Sequence, residues 1–410
     1  MNKFLVGGLG FYNDAYDLFV MDVVNAVLTE QYDSETYSSA MKSRVSADAI
    51  VGAVIGQLGF GFLGDVFGRK VNMVFTCCLL IIGGILHAAA YAGDGRSTLW
   101  FLVAARIILG VGIGGEHPLA ASTTAEDSTN SANHSTSVAK MFSLQGVGQV
   151  TAAILGNLLV QVLVDGKPGE NSDSHLEIAW RMLFAIGVIP ALFRGQIAQA
   201  TTQQKARLDF ILRNYGVSLL GTAGTWFLFD IVYYSQNLFS ASILKVVGLS
   251  NLSLQQVTNE VAFVSLMTLP GYFVAVYAIN HLGRKKMQLQ GFFFMAILCL
   301  IMAIFSDDLK NQSILFIILY GLTLFFSNFG PNMSTFVLPT DMFSTPIHST
   351  CHSISAATVK AGAAIGSFGF SIWVENESYG YSGAFYTFAA ISAISIPLMC
   401  FFHSDIICYV

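Results

Sequence analysis

Apolar residues run along this chain in long blocks that short polar segments separate. A bilayer core requires about 20 mainly apolar residues per helix, and the blocks are long enough for twelve such helices. The predicted spans are residues 4–29, 46–67, 71–92, 98–127, 135–164, 179–197, 211–241, 257–280, 287–306, 313–340, 347–373 and 380–404. The pattern predicts an all-α membrane protein: an N-terminal six-helix bundle (1–194), a cytoplasmic linker (195–212) and a C-terminal six-helix bundle (213–410).

Composition agrees with a membrane protein and excludes several other classes. Charged residues make up 11% of the 410 residues, whereas a soluble domain carries about 25%. The net charge of −5 gives no basic field for a nucleic acid. None of the six cysteines forms a C-x-x-C pair, so neither a metal site nor a disulfide framework is predicted. No cofactor is expected.

The distribution of lysine and arginine predicts the orientation. An even number of spans leaves both termini on the same side of the membrane. If that side is the cytoplasm, the cytoplasmic segments hold eleven basic residues and the outer segments seven, as the positive-inside rule requires. We therefore expect cytoplasmic termini. The plasma membrane and a monomeric state are further expectations, which the charge distribution does not decide.

The two predicted bundles carry similar motifs. The segment Gly64–Lys70 recurs as Ile279–Lys285, 215 residues further on. The same offset relates Gly115 to Gly330, Glu126 to Asp341, and Gln145 to Lys360. Parallel repeats of this kind build the major facilitator fold, in which substrate binds between the halves near the middle of the bilayer. The two predicted bundles are therefore pseudo-symmetric halves of one transporter.

Specific motifs strengthen this interpretation. The run from Gly61 to Lys70 and the run from Arg106 to Gly115 resemble the loop motif and the fourth-helix motif of the major facilitator superfamily. Other segments resemble plant and fungal inorganic phosphate:proton symporters: residues 10–19 (GFYNDAYDLF), 220–230 (LGTAGTWFLFD), 234–239, 330–336 and 350–352. The resemblance covers essentially the whole chain. It implies a symporter for phosphate and protons that works by alternating access, and not an enzyme.

Two segments depart from the family pattern. The family reads Gly-Gly-Asp-Tyr-Pro in the fourth helix, where this chain has Glu116 and His117 in place of Asp and Tyr. After the tenth helix the family has two arginines that residues 343–348 lack, and Asp341 replaces a glutamate. The cargo is therefore open to alternatives: another anion, a phosphate ester or a sugar. A phosphate sensor with little flux is a further alternative.

Ionisable side chains within the predicted spans require a reason. Each costs roughly 3 kcal/mol at the bilayer centre on insertion scales. Mutual neutralisation would explain single residues, but one acid on the first helix of each half indicates function. Trp226, Asp230 and Tyr234 share one helix face. By the resemblance, the substrate-binding residues are His117, Gln145, Trp226, Asp230, Tyr234, Asn332 and Lys360, and the proton-coupling residues are Asp14, Arg106, Glu116 and Asp230.

A carboxylate beside an anionic substrate is stable if one of the two carries a proton, which is the chemistry of a proton-coupled symporter. His117 has two interpretations: a neutral donor in place of the family tyrosine, or a titrating group in the coupling. The repeated loop motifs and the acids after helices four and ten predict cytoplasmic gates that weak ion pairs close. The predicted gating residues are Asp65, Arg69, Glu126, Arg284 and Asp341.

Overall fold

The computed structural model describes residues 3–67, 69–127, 131–164, 173–194, 208–246, 253–343, 345–376 and 378–402, and these are almost entirely helical. The N-terminal half consists of α1 (Lys3–Gln31), α2 (Ser39–Phe67), α3 (Arg69–Ala88), α4 (Gly95–Asp127), α5 (Ser131–Phe142), α6 (Leu144–Leu163) and α7 (Asp173–Arg194). The C-terminal half consists of α8 (Leu208–Leu238), α9 (Ser240–Val246), α10 (Leu254–Leu282), α11 (Arg284–Ile304), α12 (Ser306–Leu309), α13 (Ser313–Ser327), a π-helical segment (Asn328–Asn332), α14 (Met333–Met342), α15 (Thr345–Glu375) and α16 (Gly380–Phe402).

These helices form the twelve predicted columns. Within the described ranges, nine segments are long and apolar enough to cross a membrane, and they correspond to the fourth to twelfth predicted spans. The first three predicted spans are the helices α1 to α3. In α1, the aspartates Asp14, Asp17 and Asp22 lower the hydropathy of an otherwise apolar helix. The twelve-helix prediction is confirmed.

Two columns that the apolar pattern predicts as continuous are interrupted. Ser143 separates α5 from α6. The tenth column changes from α13 to the π-helical segment, where Gly330 has φ −114° and ψ −107°, and then continues as α14. Irregular backbone at membrane depth is tolerated where it is buried in protein or lines a cavity, so both breaks mark the interior of the bundle.

The helices of the two halves share one core. Between the halves, α2 packs along α15 and α6 packs along α10. One cluster of buried apolar side chains extends across both halves, from Phe11 in α1 to Phe388 in α16. We call the side at which α1 begins the near face and the side at which it ends the far face. Of the predicted linker, residues 195–207 lie outside the described ranges and α8 begins at Leu208.

One very close contact in the C-terminal half joins α11 to the π-helical segment. A Cβ atom added at Gly291 would lie 2.3 Å from Pro331 Cδ and 2.7 Å from Gly330 Cα. Such distances are far inside van der Waals contact, so only glycine lets the two backbones approach this closely. The contact holds the interrupted helix in place beside the centre of the bundle.

We expect Gly291→Ala to lower the thermal unfolding midpoint, because overpacking costs about 1–3 kcal/mol; for a chain of this length this corresponds to about 1–4 °C. The matched control is Gly216→Ala in α8, where an added Cβ meets no atom of the described residues within 4 Å and where alanine improves helix propensity. Tryptophan fluorescence of the detergent-solubilised protein measures both midpoints. Equal midpoints for Gly291→Ala and the wild type would contradict the packing argument.

Candidate functional site

A small cavity lies between the two halves. Side chains from five helices and from the π-helical segment line it: Gln57, Phe142, Gln145, Trp226, Asp230, Tyr233, Tyr234, Asn332, Ala356, Val359 and Lys360. Six of the seven side chains that the sequence predicts for substrate binding are in this set. The seventh, His117, has a side chain outside the described part of the structure. The structure therefore brings residues that are distant in sequence to one cavity.

Helix α8 contributes the largest number of polar side chains. Trp226, Asp230 and Tyr234 follow each other at intervals of four residues, and all three are buried. The indole of Trp226 interacts with the Asp230 carboxylate. Tyr233 also lines the cavity, although it lies about 100° around the helix from Tyr234. The predicted face of α8 is therefore broader than the four-residue spacing indicates.

Lys360 on α15 brings a positive charge to the cavity. Its side chain is buried, it donates a hydrogen bond to the Tyr234 hydroxyl, and its ammonium lies 4.5 Å from the centre of the Tyr234 ring. The charges of Asp230 and Asp14 both act on this ammonium. One buried cation thus interacts with an acid from each half of the protein.

A network of amides and phenols forms another wall. The Gln145 amide donates to the Tyr233 and Tyr272 hydroxyls, each at 3.4 Å, and the two hydroxyls lie 3.0 Å apart. The Asn332 amide donates to Tyr272 at 2.9 Å. Gly146 gives the Tyr272 ring room, because an added Cβ would lie 2.5 Å from Cδ2. The network fixes both amides beside the cavity.

Sequence reasoning missed Tyr233, Tyr272 and Gln57 as site residues. Tyr233 lies off the predicted face of α8, and Tyr272 is one of several polar residues in its span. Gln57 is an uncharged residue in α2, and the recognisable motif of that helix lies at its end, from Gly61 to Lys70. No sequence signal separates Gln57 and Tyr272 from the other polar residues of their spans; the structure shows that both spans lie in contact with the opposite half.

Two further predicted proton-coupling residues, Asp14 and Arg106, are buried in the N-terminal half. Asp14 is 3% exposed and Arg106 is fully buried. The hydrogen bonds described for Arg106 go to backbone carbonyls, to Asp17 O at 2.8 Å and to Val45 O at 3.2 Å. The nearby Asp17 carboxylate accepts from Asn13 at 3.0 Å. Arg106 therefore ties α4 to α1 and α2, and its charge acts on Asp17.

One predicted gating residue has a described contact between the halves. Arg284, at the start of α11, donates to Ser135 on α5 at the near face. Beside it, Asn280 donates to Thr136 at 2.6 Å. The other gating side chains and one coupling side chain lie outside the described part of the structure, and their roles stay predictions: Asp65, Arg69, Glu126, Asp341 and Glu116.

Contacts between the halves flank the cavity on both sides. Towards the near face, Phe336 of α14 stacks on Phe142 of α5 at 4.2 Å and packs edge-on against Phe11 of α1 at 5.2 Å. Towards the far face, the backbone N–H of Ala241 donates to Asp22 at 3.0 Å. At least one of these layers must separate before a cargo can enter the cavity.

A further far-face contact lies close to the cavity. The Gln149 amide donates to the Asn237 side chain at 2.6 Å, between α6 and α8. Asn237 in turn donates to the Tyr233 carbonyl at 2.8 Å. The far-face layer is therefore continuous with the cavity wall through α8.

Similarity to known proteins decides the family. The sequence profile of the family described as "Sugar (and other) transporter" matches residues 9–198 and 197–406. The chain belongs to this family of major facilitator transporters. It is therefore a transporter and not an enzyme, and the polar cavity between its halves is the expected site of the cargo.

The relatives of this facilitator include plant proteins. It is 33% identical to a "Probable inorganic phosphate transporter 1-6" of Arabidopsis thaliana, an alignment that covers 96% of this chain and 89% of the relative. It is also 33% identical to a "Low affinity inorganic phosphate transporter 4" of Petunia hybrida, covering 91% and 83%.

Solved structures show the same fold. The facilitator superposes on the proton:xylose symporter XylE, bound to 6-bromo-6-deoxy-D-glucose, with a TM-score of 0.78 and 18% identity, covering 98% of this chain and 95% of that one. A partially occluded inward-open structure of XylE from E. coli also gives 0.78, at 17% identity, covering 98% and 99%. The predicted major facilitator architecture is thereby confirmed.

We expect Tyr272→Phe to lower the thermal unfolding midpoint of this facilitator. The change removes the acceptor for Gln145 and Asn332, and a buried donor left without a partner costs about 1–3 kcal/mol. Tyr277→Phe is the matched control, because Tyr277 lies on the same helix with an exposed side chain. If both variants unfold at the temperature of the wild type, the network does not hold the site together.

Proposed function

We propose that this facilitator is a proton-coupled symporter of inorganic phosphate that works by alternating access. The observation that carries the proposal is the buried Lys360 ammonium, which faces the Asp230 carboxylate in a cavity between the halves. An anion-binding charge and a proton-accepting group in one enclosed site are the two elements that such a symporter needs. The names of the plant relatives support phosphate as the cargo.

The polar groups of the cavity suit a tetrahedral oxyanion. The Lys360 ammonium and the Trp226 indole are donors to phosphate oxygens, and the phenols of Tyr233 and Tyr234 can donate as well. Phosphate differs from most anions because it retains P–OH groups at neutral pH, and these need acceptors. The Asp230 carboxylate supplies such an acceptor. The cavity therefore has donors for the unprotonated oxygens of phosphate and an acceptor for its P–OH group.

Charge explains why a proton would accompany the phosphate. With Asp14 and Asp230 ionised and Lys360 protonated, the three groups together carry one negative charge. A second negative charge at about 5 Å from a carboxylate costs roughly 3 kcal/mol at an effective dielectric constant of 20. A proton on Asp230 removes this repulsion and turns the carboxyl into a donor. Phosphate and proton therefore increase each other's affinity, as linkage requires.

Alternating access would use the two layers that flank the cavity. Rocking of the bundles 1–194 and 213–410 about the cavity, with residues 195–212 as linker, would open one layer at a time. The proposed near-face gate adds Asp65, Arg69, Glu126 and Asp341 to Arg284, and the proposed coupling adds Glu116, with His117 in the site. The proposal also includes cytoplasmic termini, on the grounds of the charge distribution. A location in the plasma membrane and a monomeric state are proposed on the grounds of the family.

We expect liposomes that contain the wild-type protein to accumulate labelled phosphate when an inward proton gradient is imposed. Asp230→Asn should reduce this accumulation to the background level, because an amide does not bind and release a proton near neutral pH as a carboxyl group can. Asp307→Asn is the control, since Asp307 is exposed and pairs with Lys310 outside the cavity.

Three outcomes of this assay would count against the proposal. Accumulation by Asp230→Asn with an unchanged dependence on the gradient would exclude Asp230 from coupling. Phosphate binding by the wild type without accumulation would indicate a sensor. If the protein neither binds nor takes up phosphate but takes up another anion or a sugar, that compound and not phosphate is its cargo.

Lys360→Ala should weaken phosphate binding about tenfold or more, because hydrogen bonds to charged groups contribute about 1.5–3 kcal/mol. Lys360→Arg should weaken it less, since the charge is retained. Isothermal titration calorimetry with phosphate measures the dissociation constants, and Lys310→Ala serves as an exposed control. An equal affinity of Lys360→Ala and the wild type would show that Lys360 is not the anion-binding charge.

A further inference from the structure

Gln57 in α2 has a buried amide that lacks a partner within the described part of the protein. Its side chain is 1% exposed, and neither Nε2 nor Oε1 has a hydrogen-bond partner among the residues that the structure describes. Buried amides in proteins are almost always hydrogen-bonded, because an unpaired one is costly. Gln57 lines the cavity together with Asp230 and Lys360. An unpaired donor and an unpaired acceptor in the wall of a ligand cavity indicate that the ligand supplies the partners.

The backbone fixes the direction of this side chain. A Cβ at Gly52 would lie 2.3 Å from Ile107 O, and a Cβ at Gly56 would lie 2.2 Å from Val111 O. These glycines hold one face of α2 directly against α4. Gln57 follows Gly56 by one position, about 100° around the helix, and α15 packs along α2 on another face. Gln57 cannot turn towards α4 without separating the two backbones.

The other amides of the cavity are already engaged. Gln145 donates to the two phenols, and Asn332 donates to Tyr272 and to Asn328. Their hydrogen bonds shape the wall and leave less capacity for a cargo. The donor and the acceptor of Gln57 both remain available to a cargo. Like Gln145, it comes from the N-terminal half, and it lines the cavity together with the C-terminal residues Asp230 and Lys360.

We propose that Gln57 is a substrate-contacting residue that sets the preference for a protonated oxyanion, an inference that rests on the proposed function. Its Oε1 accepts a hydrogen bond from a P–OH group, and its Nε2 donates to a neighbouring phosphate oxygen. Sulfate has no S–OH group at neutral pH, so it would leave Oε1 unpaired. A site that pairs with a substrate hydroxyl rejects an analogue that lacks it. Gln57 therefore distinguishes phosphate from sulfate.

The test compares Gln57→Leu with the wild type, because leucine has a similar size and no polar atoms. We expect the KM for phosphate uptake to rise about tenfold with little change in the maximal rate. Inhibition by sulfate should stay the same, so the preference for phosphate over sulfate falls about tenfold. Gln288→Leu is the matched control: Gln288 is also buried with both polar atoms unpartnered in the described structure, but it does not line the cavity.

A second measurement separates ligand contact from a structural role. Without phosphate, Gln57→Leu should unfold at the temperature of the wild type or above it, because the change removes unpaired polar atoms. The rise in unfolding temperature that phosphate produces in the wild type should shrink in Gln57→Leu and persist in Gln288→Leu. Gln57→Met, measured in the same way, covers the case that leucine does not fold.

The outcomes distinguish the two proposals. If the wild type responds to phosphate and Gln57→Leu shows the same KM and the same phosphate-induced shift, the inference about Gln57 is wrong and the proposed function stands. If the wild type shows neither uptake nor a thermal response to phosphate, the proposed function is wrong, and the role of Gln57 falls with it.

Discussion

The centre of this protein depends on how the buried ammonium of Lys360 is paired. An unpaired charge at membrane depth is costly, and the structure offsets this cost with the Tyr234 hydroxyl and with carboxylates from both halves. Asp14 comes from α1 and Asp230 from α8, the first helix of each half. The two halves therefore share one counter-charge. Any cargo or proton that changes the charge balance at Lys360 changes how strongly the halves attract each other.

The rest of the architecture places polar groups around that charge without irregular backbone at the lipid. Breaks in the fifth and tenth columns lie at Ser143 and Gly330, next to the cavity residues Gln145 and Asn332. In a straight helix the side chains follow each other at fixed angles. A break changes the direction of the side chains that follow it, and the amides next to these two breaks line the cavity. Glycine contacts such as that of Gly291 hold the interrupted segments. Local irregularity is thus confined to the place where the polar groups are needed.

Much of this arrangement could be predicted from the sequence. The twelve columns followed from the lengths of the apolar blocks, and most of the cavity wall from the repeat and from the family resemblance. Tyr272 and Gln57 could not be identified, because a single polar residue in an apolar span carries no periodic signal; its role depends on which helix of the other half it meets. Arg106 was predicted beside the cavity acids, but its described hydrogen bonds are to backbone carbonyls. Sequence identifies a buried charge and not its partner.

The two layers that flank the cavity differ in chemistry, and this difference bears on how they open. The near-face layer at Phe11, Phe142 and Phe336 is apolar, so separating it exposes ring surface at a cost of about 25 cal/mol per Å². The far-face layer includes hydrogen bonds at Asp22 and Gln149, and water can replace each for about 1 kcal/mol. Among the described residues, further hydrogen bonds join the halves at the far face, from Asn25 to the Leu238 carbonyl and from Gln161 to the Gln255 carbonyl. A change of a few kcal/mol in the electrostatic energy at Lys360 is comparable to the loss of a few such hydrogen bonds, so binding of a cargo and a proton can shift the balance between the two sides.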